Sequence, residues 1–265
     1  MKIRWFIYIL VALAVAVPIL AKIYFPVKRV SDSTRMVYDY IDKLPEGSVV
    51  ILSFDYGPST APELQPVAEA LLRHCFERNI KAIGIALWPT GKLLGQKAFE
   101  LVGEEMGKRY GEDYVYLGYR AGFSTVMLQM GEKIGKVFDM DYKKRPISQF
   151  PLMRRVKNYK DIDLLVDLAA GDSVEAWITY AYTKFDQKLA AAVTMVIVSQ
   201  LYPYIQAQQL VGVIPGMLGA AEYEKLIDRP GFGMLGLSIQ SIAHVLVILL
   251  VVIGNVEFFL ARRRR

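Results

Sequence analysis

Cysteine and histidine are scarce in this chain of 265 residues, which has a single cysteine and two histidines. Cys75 cannot form a disulfide within the chain, and its half-apolar helical surroundings predict a buried free thiol. His74 and Cys75 are adjacent, so on a helix their side chains point about 100° apart. A nucleophile and its base must instead lie within hydrogen-bond reach. The sequence therefore predicts no Cys–His or Ser–His catalysis and no metal site.

The motifs that mark nucleotide-binding and hydrolase folds are also missing. WPTGK, at residues 88–92, lacks the spaced glycines of GxxxxGK[ST]. DYGPST follows the first predicted strand, where a dinucleotide-binding chain has GxGxxG. The chain has no GxSxG nucleophile motif. We therefore expect no cofactor and assign no catalytic residue.

A basic surface for nucleic acid is not evident either. The formal net charge is +6, but much of the excess lies at the chain ends, in Lys2, Arg4 and residues 262–265. The remainder of the chain is close to electrically balanced, which argues against nucleic acid as a partner.

What the sequence does contain is a long apolar segment near each end, at residues 5–21 and about 234–261. Since about 20 apolar residues in a helix cross a bilayer, we expect a lipid-bound protein. Residues 1–26 form an N-terminal transmembrane anchor, 27–233 a central domain, and 234–265 a transmembrane helix with a basic tail. A cleaved signal peptide ending at Ala21 is the alternative. Ile19 at the −3 position and renewed apolar character at Ile23 favour an uncleaved anchor.

Basic residues flanking the two segments predict the orientation, since they favour the cytoplasm. Lys2, Arg4 and the four terminal arginines place both termini inside, whereas the basic residues at 22, 28 and 29 argue for the reverse. We give the four arginines more weight. The protein is thus expected in the cytoplasmic membrane as a two-pass protein with an extracytoplasmic domain. His244 in the second segment is interpreted as packing against a neighbouring helix rather than as part of an ion path.

Within the central domain, apolar runs rich in Val and Ile alternate with helical patterns. Uninterrupted apolar strands joined by helices are typical of a parallel sheet covered on both faces. The fold class is therefore α/β, with a doubly wound, mostly parallel sheet whose strand order cannot be read from the sequence. Residues 139–159 form a polar insert, expected as a surface loop. The six predicted strands lie within 49–57, 81–91, 113–122, 161–171, 190–200 and 210–217.

Ligands of such sheets bind beyond the carboxyl ends of the strands, so the predicted strand ends define a candidate small-molecule site. Two cations there favour an anionic ligand, and Asp55 and Asp172 can meet as a carboxylate pair. An Asp at a strand end more often caps the following helix. The candidate ligand-binding residues are Asp55, Thr90, Lys92, Arg120, Asp172 and Ser199.

Four segments carry a resemblance to a known group: FDYGPSTAPELQPVAEALLRH, ALWPTG, YLGYRAG and LVGVIPGMLGAAEYEKL. Together they resemble membrane-anchored, Rossmann-like α/β proteins of bacteria and archaea for which no activity is established. The resemblance covers most of the central domain and the placement of both anchors. It implies the fold and contributes no site residues.

Three functions remain open from the sequence. The lack of a familiar catalytic constellation favours a non-enzymatic scaffold subunit of a membrane assembly, formed with copies of itself or with other membrane proteins. The first alternative is an extracytoplasmic domain that binds or senses a small molecule in the strand-end crevice. The second alternative is a hydrolase or transferase that uses strand-end carboxylates.

Overall fold

The computed structural model of the protein describes residues 2–263 and contains a six-stranded parallel sheet flanked by helices. The spatial order of the strands is β3-β2-β1-β4-β5-β6, and every neighbouring pair is parallel. The strands are β1 (Val49–Asp55), β2 (Lys81–Ala86), β3 (Tyr114–Tyr119), β4 (Leu164–Ala169), β5 (Leu189–Val193) and β6 (Val213–Pro215).

Helices connect the strands and extend the chain at both ends. A π-helical turn at Ile178–Tyr182 joins two of the shorter helices, α7 and α8. The helices are α1 (Lys2–Ala21), α2 (Asp32–Asp42), α3 (Ala61–Glu77), α4 (Gly91–Glu105), α5 (Phe123–Lys133), α6 (Pro151–Arg155), α7 (Ser173–Trp177), α8 (Thr183–Phe185), α9 (Val198–Gln206), α10 (Gly216–Leu226) and α11 (Phe232–Arg263).

Alternating side chains of each strand enter two separate cores. Leu52 and Phe54 belong to the core that α3, α4 and α10 cover, whereas Ile51 belongs to the opposite core, beneath α5 and α7. Every residue of β1 is buried, which explains why this strand is a continuous apolar run rather than an alternating one. The predicted α/β class and the six strands are confirmed.

The fifth strand is shorter than the apolar run that predicted it. β5 ends at Val193, and the chain continues as a 3₁₀ turn at Met195–Ile197 and then α9. Its neighbour β6 has three residues and ends at Pro215, which lacks an N–H and is followed by Gly216 at φ +46°. Beyond Val193 the run has no strand partner, so its backbone forms helical hydrogen bonds instead.

The insert at 139–159, expected to be a polar surface loop, adds side chains to the second core. Phe150 and Leu152 are buried there. Asp141, also buried, accepts hydrogen bonds from the Tyr110 hydroxyl and the Arg145 guanidinium. The many basic residues of this segment made it read as polar, although apolar residues spaced between them are buried.

α1 and α11 are long and apolar enough to cross a membrane, by length and composition. α1 ends in a Schellman motif, since Lys22 has φ +48° and Ile23 N–H donates to the Pro18 carbonyl at 3.0 Å. The chain then returns to α11, where Phe25 N–H donates to Ser238 Oγ at 2.7 Å. The two helices therefore pack antiparallel, with most of their apolar side chains exposed. Arg264 and Arg265, used above for orientation, lie outside the described residues.

Three side chains of α10 attach both long helices to the domain. Glu222 accepts hydrogen bonds from Ser31 N–H (3.0 Å) and Thr34 Oγ1 (2.7 Å) at the start of α2. Glu224 accepts from the backbone N–H groups of residues 231, 233 and 234, where α11 begins. Lys225 Nζ donates to the carbonyl of Val27. We refer to these three residues as the α10 joint.

Candidate functional site

Two carboxyl groups lie side by side at the carboxyl edge of the sheet, between β1 and β4, where the strand order changes direction. Ser53 pairs in register with Asp167, and Asp55 lies two residues further on the same face. Asp55 accepts hydrogen bonds from Ser53 Oγ and from Leu87 N–H, both at 2.7 Å. We call Asp55 and Asp167 the acid pair. Such a switch point is where parallel sheets commonly bind ligands.

The acid pair is 0% and 1% exposed, so water does not stabilise its charges. Burial raises the pKa of Asp55. Burial, together with the charge of Asp55, raises the pKa of Asp167 well above its ordinary value. Because two adjacent buried carboxyls do not both ionise readily, the raised pKa values favour the protonated form of at least one of the two groups. A pair of this kind is chemically able to act as an acid or a base.

Several polar atoms around the acid pair have no protein partner among the described residues. They are both carboxyl oxygens of Asp167, Ser173 Oγ and Trp177 Nε1. The ring of Trp88 packs over the end of β4, since a Cβ added at Gly171 would lie 3.0 Å from it. The acid pair is therefore a small group of buried polar side chains within an apolar core.

Thr90 and Lys92 lie at the end of β2, as expected, but their described contacts are structural. Thr90 Oγ1 donates to the Tyr56 carbonyl at 3.1 Å, which joins the turns after β1 and β2. The Lys92 side chain is exposed, and its carbonyl accepts a hydrogen bond from Tyr116 OH at 2.7 Å.

Arg120 is engaged by the insert rather than facing the crevice. Its Nε donates to the Val137 carbonyl at 2.8 Å, and its Nη2 lies 2.9 Å from Asp139 Oδ1. The guanidinium also lies 5.6 Å from the centre of the Phe138 ring. Arg120, which was predicted to attract an anionic ligand, is therefore already paired with Asp139.

Asp172 and Ser199 are exposed and take no part in the acid pair. Asp172 precedes α7 without accepting a capping hydrogen bond from it. The carboxyl that meets Asp55 is Asp167, two residues before the end of β4. Ser199 lies on α9, because β5 ends earlier than predicted. Of the six predicted residues, Asp55 alone belongs to the acid pair.

A cavity of about 670 Å³ lies between α11 and the carboxyl edge of the sheet. We call it the α11 cavity. Side chains from the starts of α3 and α10, from the turn after β5 and from α11 line it. The polar ones are Glu63, Gln240, Ser241 and His244, and the apolar ones include Met195, Met217, Leu218, Phe232, Leu237 and Ile239.

Glu63 is positioned at the wall of this cavity by the backbone around it. Its Oε2 accepts a hydrogen bond from Met195 N–H at 3.3 Å. A Cβ at Gly216 would lie 2.5 Å from the same oxygen, and Gly216 has φ +46°. Glycine is therefore required at this turn for both space and conformation. The cavity thus combines one fixed carboxylate with a mainly apolar wall.

The sequence analysis did not predict this cavity. Gln240, Ser241 and His244 recur at positions i, i+1 and i+4, which places them on one side of a helix. That pattern was available, but the sequence could not show that α11 returns along α10 to the carboxyl edge. Gly233 and Gly236 make this return possible, since a Cβ at either would lie within 2.7 Å of α10 atoms.

Comparison with known proteins adds no family or function. No family model matches the chain, and no curated protein or solved structure matches it either.

Proposed function

We propose that the protein is a two-span membrane protein that binds an amphipathic molecule in the α11 cavity, at the surface of the bilayer. The observation that carries this proposal is the composition of the cavity wall. Part of the wall is a helix apolar enough to cross a membrane, and part is the carboxyl edge of the sheet. A molecule with a polar group and an apolar chain matches both parts.

The polar part of the ligand would contact Glu63, Gln240 and His244. Among the described residues, Glu63 Oε1 accepts no hydrogen bond, so it remains available to a hydroxyl or amine donor. The apolar chain would lie against Met217 and Phe232. We therefore expect a lipid or lipid-like molecule whose head group donates hydrogen bonds, rather than the anion suggested by Lys92 and Arg120.

The membrane arrangement is part of the same proposal. α1 and α11 cross the bilayer as an antiparallel hairpin, with both termini in the cytoplasm and a doubly wound domain outside. The antiparallel pairing supports the hairpin, because it puts the start of α1 and the end of α11 on one side, and the flanking basic residues favour the cytoplasm for that side. Packing of α1 against α11 also favours a retained anchor over a cleaved signal peptide.

Filling the cavity tests the proposal. A Cβ at Gly236 would meet the flexible end of Met217, 2.6 Å from its sulfur, so Gly236→Leu should push Met217 into the cavity. Gly254→Leu is the matched control, since nothing lies within 4 Å of a Cβ there. Mass spectrometry of organic extracts from the purified proteins should show a molecule retained by wild type and Gly254→Leu but lost from Gly236→Leu. Equal retention in all three proteins would contradict the proposal.

The scaffold function stays a prediction, because a single chain does not test association with copies of itself or with other membrane proteins. Light scattering of the detergent particle would measure its mass. For the hydrolase or transferase alternative, the carboxyl beside Asp55 is Asp167 rather than Asp172, and both carboxyls are buried. Loss of a measured turnover in a folded Asp55→Asn protein would favour it over ligand binding.

A further inference from the structure

The turn after β5 exposes large apolar side chains to an unusual degree. Met195 is 48% exposed and Val196 is 81% exposed. For comparison, Val247 on the apolar face of α11 is 53% exposed. We call the 3₁₀ turn Met195–Ile197 the apolar loop. Exposed apolar residues that are adjacent in a chain commonly mark a contact surface.

The apolar loop lies at the height where the helical hairpin leaves the domain. Met195 lines the α11 cavity together with Gln240 and His244. Ile242, between those two positions on α11, lines a groove with Pro18, near the end of α1. The α11 side of this cavity runs from Phe232 to His244, so the loop lies beside the first turns of α11, the stretch that also faces the end of α1.

The chain on either side of the loop is uncharged, although the Glu63 carboxylate of α3 accepts a hydrogen bond from Met195 N–H at 3.3 Å. No Asp, Glu, Lys or Arg occurs between Leu189 and Ala221. Tyr202 on α9, just after the loop, is 52% exposed, and tyrosine is enriched at membrane–water boundaries. An uncharged loop with an aromatic neighbour fits an interfacial position.

We propose that the apolar loop inserts into the lipid surface, so that the carboxyl edge of the sheet rests on the bilayer beside the hairpin. This inference rests on the membrane crossing in the proposed function. The partner is the bilayer, because Met195 of the loop lines the same cavity as the apolar first turns of α11, the helix proposed to enter the lipid. The α11 cavity then opens beside the lipid, and a ligand reaches it without crossing water.

A cysteine scan tests the insertion. Cys75 is buried, and burial raises its pKa to about 12, so the native thiol does not compete for labelling. Val196→Cys reports on the loop, and Val247→Cys is the reference within the hairpin. Leu101→Cys is the matched control. It is 44% exposed and lies ten residues along α4 from Gly91, about 15 Å further from the carboxyl edge.

Each full-length variant is labelled with an environment-sensitive fluorophore and placed in phosphatidylcholine nanodiscs that contain nitroxide-labelled lipid. We expect quenching at Val196 and Val247 to exceed that at Leu101 by a factor of about two or more. Quenching at Val247 without quenching at Val196 would overturn the insertion and leave the membrane crossing intact. A blue-shifted but unquenched Val196 label would also overturn it, since another protein would then cover the loop. Absence of quenching at both sites would overturn the insertion and the crossing together.

Discussion

The acid pair makes the stability of the protein depend on pH in a defined direction. The pKa of Asp167 is raised from its ordinary value of 3.8, mainly by burial and then by the charge of Asp55. Between the ordinary and the raised values, the folded state binds more protons than the unfolded state. The contribution of Asp167 to the free energy of unfolding is therefore fully present below the ordinary value and is lost as the pH rises through this window.

Replacing Asp167 with asparagine should remove this dependence. An amide has nearly the same shape, carries no charge and can donate to Asp55. We expect Asp167→Asn to raise the free energy of unfolding by about 1–3 kcal/mol at pH 8, with little change at pH 4. Thermal unfolding in detergent at both values would measure this. Asp172→Asn, at an exposed position, should match wild type at both. A lower stability of Asp167→Asn at pH 8 would indicate that the charged form is the one the fold requires.

The acid pair also shows what sequence can and cannot predict about single residues. Asp55 was recognisable because it ends an apolar strand and precedes a turn. Asp167 was not recognisable, because it lies inside such a strand. Its proximity to Asp55 depends on the pairing of β4 with β1, which the sequence does not show. An isolated carboxyl within a buried strand is costly unless a partner lowers that cost. The energetic cost of burying Asp167 was therefore the one feature of the sequence that could have indicated a functional or structural partner for it.

The start of α11 depends on a carboxylate supplied by α10. Three backbone N–H groups donate to Glu224, at 2.7–3.0 Å. Burial raises the pKa of this carboxyl, and the three donors partly offset the rise. Negative charge at a helix N-terminus also interacts favourably with the helix dipole. Glu224 thereby fixes where α11 begins and how it leaves the domain.

Glu224→Ala should leave those donors without a partner. We expect the free energy of unfolding to fall by about 1–3 kcal/mol. Chemical or thermal unfolding of the detergent-solubilised protein would measure the loss. Glu104→Ala, on the exposed face of α4, should change it by less than about 0.5 kcal/mol. If both variants unfold alike, the contacts of Glu224 contribute little and apolar packing of α11 on α10 holds the junction.

Helices and strands were predicted well where the spacing of the apolar residues and the length of the apolar run indicated the same type of element. All six strands and both long helices were recognisable from continuous apolar runs. The predicted end of β5 was wrong because Val and Ile continue past Val193. The length of the neighbouring strand, rather than the local sequence, decides where strand pairing stops. The buried residues of the insert were missed because basic side chains separate them. Such errors arise from tertiary partners that a local pattern does not contain.

At the scale of the whole molecule, the pair formed by α1 and α11 lies on the same side of the domain as the carboxyl edge of the sheet. The start of α1 and the end of α11 lie at the far end of this helix pair, and the amino edge of the sheet points away from it. The sequence predicted two spans but not which edge of the sheet faces them. That relation depends on α11 running back along α10, through close packing at Gly233.

Labelling with a membrane-impermeant maleimide tests the orientation in the membrane. In right-side-out spheroplasts, Leu101→Cys should react without lysis if the domain lies outside, as proposed. Arg262→Cys, beyond the apolar part of α11, should react after lysis alone. The reverse pattern would place the domain in the cytoplasm while leaving the two spans in place. Wild type, with Cys75 buried, supplies the background.

The α10 joint has a mechanical consequence. Because Glu222, Glu224 and Lys225 bond the chain on both sides of the helix pair to one helix, the domain should tilt together with the two proposed spans. A thinner bilayer makes long apolar helices tilt. Here such a tilt would tip the entire sheet and change the pressure of lipid on the mouth of the cavity. If the cavity binds the proposed amphipathic ligand, its occupancy would then vary with membrane thickness, even at constant ligand concentration.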